Sequence, residues 1–68
     1  MKESGSETWE RLNEILMEID MYWNDCDELS YIIDELDGMS LEYPSEIDLW
    51  WECYELAEYY YIAIGCDR

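Results

Sequence analysis

Apolar residues recur along the chain at helical spacing, in three segments separated by polar punctuation. In the first, from about Glu7 to Trp23, the residues Trp9, Leu12, Ile15, Leu16, Ile19 and Trp23 fall at i, i+3, i+4 steps. At about 100° per residue they make one stripe. Ser6 is the predicted N-cap, with Glu7 in the first turn, where the helix dipole favours an acid. The second segment runs from about Cys26 to Asp37, with Leu29, Ile32, Ile33 and Leu36 on its buried stripe. Asn24 or Asp25 can cap it, and Asp25 with Glu28 has capping-box spacing. Gly38 falls where a left-handed residue after the helix is predicted.

Between the second and third segments, the Tyr43-Pro44 pair pushes Tyr43 out of helical geometry. Ser45 is the predicted cap of a third helix from about Glu46 to Ile64, with Glu46 and Asp48 in its first turn and Gly65 ending it. Its apolar arc is wide: Leu49, Trp50, Cys53, Tyr54, Leu56, Ala57, Tyr60, Tyr61, Ala63 and Ile64. A helix that packs against two others needs an arc of that width. The run Tyr59 to Ile62 also suits a strand, but helical periodicity covers the whole segment. The pattern predicts a single all-α domain over residues 1–68, a small antiparallel three-helix bundle.

Charge changes the picture. The chain has 68 residues, 19 Asp+Glu against 3 Lys+Arg, no His, and a formal charge of −16. The bases are Lys2, Arg11 and Arg68, and the stretch from Leu12 to Asp67 holds sixteen acids and not one base. Half of the residues are hydrophobic, which argues against a disordered acidic tail. Direct nucleic-acid binding through phosphates is excluded for want of Lys and Arg. No apolar run exceeds the six residues Tyr59 to Ile64, so no membrane span is predicted. Met1 to Glu10 has no apolar stretch of the kind a secretory signal needs. Single-sign surface costs self-repulsion, and a small core has little stability to offset it. The acidity therefore points to a partner with a basic groove, or to a saline solvent.

Cys26, Cys53 and Cys66 are odd in number and show no C-x-x-C spacing. They are read as reduced thiols of a small core, and the compartment as reducing and cytoplasmic. No catalytic residue stands out. The five Ser residues have no His to activate them, carboxylate pairs are too common to single one out, and the chain is small for a sugar-binding cleft. The clusters Asp25-x-Asp27-Glu28 and Asp34-Glu35-x-Asp37-Gly38 lack the calcium-loop pattern and read as a helix start and a helix end. Neither metal nor cofactor is expected.

The predicted solvent faces interleave carboxylates with large apolar groups. Met17 and Met21 lie among Glu10, Glu14 and Glu18. Tyr31 lies among Asp27, Glu28, Asp34 and Glu35. Trp51, Tyr59 and Ile62 share an arc with Asp48, Glu52, Glu55 and Glu58. Acids three or four positions apart on a helix stand roughly 5–6 Å apart at Cβ. Duplex DNA carries about one charge per 1.7 Å of axis, and rows of acids on neighbouring helices approximate that density in outline.

The stretch Ile47-Asp48-Leu49-Trp50, followed by Glu52, Glu55, Leu56 and Tyr60, resembles the Ocr family of phage antirestriction proteins. The similarity covers about fourteen residues. It implies a mainly helical DNA mimic with Asp48, Glu52 and Glu55 at matched acidic positions, although Trp51 and Tyr54 stand where that family has acids. More generally the chain resembles small acidic anti-CRISPR proteins. The expectation is an inhibitor, from a phage or mobile element, that occupies the basic groove of a CRISPR effector or restriction enzyme. It would act as a monomer or homodimer. Its expected contact residues are Glu10, Glu14, Glu18, Asp27, Glu28, Asp34, Glu35, Asp48, Trp51, Glu52, Glu55, Glu58 and Tyr59. The alternative is an antitoxin or adaptor that binds protein through the Trp51, Tyr59, Ile62 patch.

Overall fold

The computed structural model describes residues 7–66. Three helices follow in order: α1 (Glu7–Met21), α2 (Cys26–Asp37) and α3 (Pro44–Ala63). They form a small all-α three-helix bundle with no strand among the described residues. The Tyr59 to Ile62 run is helical. Contacts give the directions: Arg11 near the start of α1 meets Glu35 near the end of α2, while the start of α2 meets the end of α3 at Cys26 and Cys66. The course is therefore up, down, up. Both α1 and α2 pack chiefly on α3 and much less on each other.

The core is built from the predicted stripes. Leu12, Ile15 and Ile19 of α1, Ile32 and Leu36 of α2, and Leu49, Cys53 and Ala57 of α3 form one buried cluster. Met39 and Leu41 from the α2–α3 connection pack against its edge. The predicted arc of α3 is graded: Trp50, Tyr54, Leu56 and Tyr60 are half-buried, and Ala63 is exposed. The Trp50 indole N–H donates to the Leu36 carbonyl at 2.7 Å. It thereby satisfies one of the carbonyls that the C-terminal end of α2 leaves without an intrahelical partner.

Helix ends show where local chemistry departs from the sequence reading. Asp25 caps α2 as predicted, its side chain accepting from the Glu28 N–H at 3.2 Å. The predicted Ser6 cap lies outside the described residues. Helix α1 stops at Met21, and Trp23 falls in the following turn, 48% exposed and 6.1 Å from the Tyr60 ring. Gly38 is not left-handed: at φ −99° it closes α2 through N–H bonds to the Asp34 and Glu35 carbonyls. Gly65 is left-handed, with φ +84°, and ends α3 as expected.

The predicted Ser45 cap is wrong. Tyr43 is the N-cap, in extended geometry, and Pro44 is the first helical residue. Proline suits that position because its φ is preset and its missing N–H has no helical role there. Glu46, in the first turn as expected, turns back and is buried, with 1% exposure. Its carboxylate accepts from the Glu42 N–H at 2.9 Å and the Tyr43 N–H at 3.4 Å.

The cysteine reading is also corrected. Cys26 and Cys66 form a disulfide, with Cα atoms 5.5 Å apart. Gly65 turns the chain back from α3, and this brings Cys66 to the first residue of α2. Neither spacing nor parity in the sequence signals a pair separated by 40 positions. Cys53 is the buried thiol that was expected. Its Sγ–H donates to the Leu12 carbonyl at 3.4 Å. Burial, with a smaller contribution from the Glu52 charge, pushes this thiol up to about 11, so it is protonated and unreactive at neutral pH.

Candidate functional site

Carboxylates occupy the outer faces of all three helices. Glu10, Asp27, Asp34, Asp48, Glu52, Glu55 and Glu58 are exposed, and Glu28 is half-buried. The last turn of every helix lacks a base. Helix α2 even ends on Asp34, Glu35 and Asp37, where the carbonyl end of the dipole repels negative charge. Local stability would favour Lys or Arg at Asp34 and Asp37.

Arg11 divides the acids into two groups. It is the single base among the described residues, and it draws together three of the expected contact residues. Its guanidinium donates to both Glu35 oxygens at 2.6 and 2.7 Å, to Glu18 at 3.0 Å and to Glu14 at 3.1 Å. Glu18 and Glu35 are half-buried in this cluster. The row Glu7, Glu10, Glu14, Glu18 is thus partly neutralised from within, while no base answers the α3 row Asp48, Glu52, Glu55 among the described residues. The Arg11–Glu35 pair was not legible in the sequence, because the two lie 24 positions apart; Glu14 and Glu18, three and seven positions from Arg11, are on its own helix.

The Arg11 hydrogen bond holds the Glu35 carboxyl below the usual carboxylate range; burial opposes this and the arginine charge adds to it. Hydrogen bonding to the same glutamate raises the Arg11 guanidinium further. Because the folded value of Glu35 lies below its unfolded value, the stability it contributes is complete above the unfolded carboxylate range. That stability is lost as pH falls through the lowered folded value. For this partly exposed cluster, Arg11→Ala is expected to cost about 1–2 kcal/mol at about pH 7. In strong acid, once pH has fallen through the lowered Glu35 value, the cost should shrink. Urea midpoints of the two proteins at both pH values measure it. An equal gap at both would assign the effect to packing of the arginine stem.

Six exposed apolar groups lie where the helical period predicts, whereas Trp23, expected on the buried stripe of α1, is exposed because the helix stops at Met21. Met17, Met21, Tyr31, Trp51, Tyr59 and Ile62 are all open to solvent, joined by Trp23, Tyr43 and Ile47. Trp51 stands edge-on to Trp50, 5.0 Å between centroids, and Trp50 stacks flat on Tyr54 at 4.9 Å. The exposed ring is therefore braced by two half-buried ones. Between α1 and α3 an open groove of about 360 Å³ is lined by Leu16, Glu52, Glu55, Leu56 and Tyr59. No family model, curated protein or solved structure matches the chain. No cluster of three metal-ligating side chains occurs among the described residues, and none of their helices is long and apolar enough to cross a membrane.

Proposed function

We propose that this chain is a nucleic-acid decoy, an inhibitor whose carboxylates stand in for phosphates in the basic groove of a DNA-binding protein. The observation that carries the reading is the display of exposed acids that no base among the described residues answers, Asp48, Glu52 and Glu55 on α3 and Asp34 and Asp37 at the end of α2, where acids are least favoured. A helical scaffold holds the rows in register, so the charge is presented with little ordering cost on binding. Counterion release and electrostatic steering then act as they do for DNA. The expected targets are CRISPR effectors and restriction enzymes of a bacterial host, met in its cytoplasm, and the expected source is a phage or mobile element. Arginines that read guanine or phosphate pair equally well with carboxylates.

The test is a panel of purified CRISPR effectors and restriction endonucleases, assayed for loading of a fluorescent duplex. The chain should block loading of at least one enzyme, lose the effect as salt rises, and fail against enzyme already loaded with DNA. Neutralising the α3 row with Asp48→Asn, Glu52→Gln and Glu55→Gln should weaken inhibition about tenfold, since each exposed ion pair contributes up to about 1 kcal/mol. Trp51→Ala separates the second reading, a protein-binding module, which the braced and exposed Trp51 ring favours. In that case Trp51→Ala abolishes binding, and the neutral row and added salt leave it unchanged.

A further inference from the structure

We propose that the groove between α1 and α3 is a receptor for an arginine side chain of the basic partner. This deepens the decoy reading and rests on it. Leu16 and Leu56 are half-buried and packed against the core, so they give the groove an apolar floor that the structure holds in place. Glu52 and Glu55, one turn apart on α3 and both exposed, line the same space, and Tyr59 adds an open ring, 64% exposed. No base among the described residues pairs with either glutamate.

That combination suits a guanidinium better than an ammonium. An arginine side chain lays its methylene stem on leucine surface, forks toward carboxylate oxygens and stacks its plane on a phenol ring. A lysine offers a strongly hydrated point charge, which gains less from an apolar floor. The chain already uses this chemistry once. Where α1 meets α2, its own Arg11 is held by Glu35 and Glu18. Where α1 meets α3, acids, leucines and an aromatic ring converge, no base among the described residues fills the space, and on this reading the cation comes from another molecule. The net charge of −16 argues against a second copy as its donor.

The experiment titrates the intact protein, labelled for NMR, with end-blocked hexa-arginine and, separately, hexa-lysine. Hexa-arginine should shift the Leu16 and Leu56 methyl and Tyr59 ring signals to saturation. It should also give cross-relaxation from arginine Hδ protons to those groups, and it should bind more tightly than hexa-lysine. Glu52→Gln with Glu55→Gln should weaken it about tenfold, as expected for loss of charge-assisted hydrogen bonds. Asp27→Asn with Asp34→Asn removes the same charge from α2 and should change affinity less than about twofold, because screening confines the effect. Equal weakening by both pairs, equal affinity for the two peptides, or shifts spread over all helices would overturn the proposal. A chain that blocks DNA loading yet shows no focused arginine contact refutes the groove and leaves the decoy reading standing. A focused contact without inhibition refutes the decoy reading and supports the groove.

Discussion

Replacing Cys26 and Cys66 together by Ser lowers the unfolding free energy by roughly 4 kcal/mol, on the loop-entropy relation for a bridge of this span. The span is 40 positions, and the gain comes from restricting the unfolded chain. Neither sulfur belongs to the buried cluster: Cys26 is exposed and Cys66 half-buried. The reduced protein should therefore keep its helices at room temperature and lose them at lower urea. Circular dichroism against urea, for wild type with and without reductant and for the double variant, measures this. Coincident curves would mean that the bridge restrains nothing. The outcome bears on the proposed setting, because disulfides are rare in a reducing cytoplasm. A decoy working there must be held by Leu12, Ile15, Ile32, Leu49 and their neighbours alone, and the DNA-loading assay belongs in reductant.

Glu46→Ala should cost about 3 kcal/mol, the expected loss when a buried charged acceptor leaves two backbone donors behind. The donors are the Glu42 and Tyr43 N–H groups at the entry to α3. Most of the loss belongs to Glu42, whose bond is the shorter. Glu46→Gln retains an acceptor oxygen and should cost about 1 kcal/mol, the value of an uncharged hydrogen bond. Asp48→Ala, two residues on and exposed, should stay within about 0.5 kcal/mol. Chemical denaturation of the three variants checks the order. If Glu46→Ala and Asp48→Ala were equal, the reversed glutamate would have no structural role.

Glu46 also marks a limit of sequence reading. Helical period placed Leu12, Ile15, Ile19, Ile32, Leu36 and Leu49 in the core, because stripe position depends only on spacing. Asp25 was legible as a cap because its bond to Glu28 is local. The start of α3 was misread by two residues: Ser45 is a good cap by type, but Pro44 takes the first helical position and leaves Tyr43 outside. Once the helix starts there, Glu46 reaches back to the entry loop and is buried, which its first-turn position alone did not announce. Arg11 with Glu35, and Cys26 with Cys66, are pairings set by the bundle's packing, which no local pattern encodes. For the candidate site, the exposed positions of α3 followed from the period. The groove did not, because Leu16 belongs to a different helix and reads in isolation as part of the α1 stripe.

Helix α3 has 20 residues and is therefore about 30 Å long at 1.5 Å per residue. Measured along a duplex at about 3.4 Å per base pair, that is a footprint of some nine steps. A decoy of this reach suits a short reading cleft, such as one that inspects a few base pairs before the strands are opened. It leaves about half of a channel built for a heteroduplex of about twenty pairs uncovered. One molecule would then stop the earliest act of recognition and be unable to dislodge a guide already paired along its whole length.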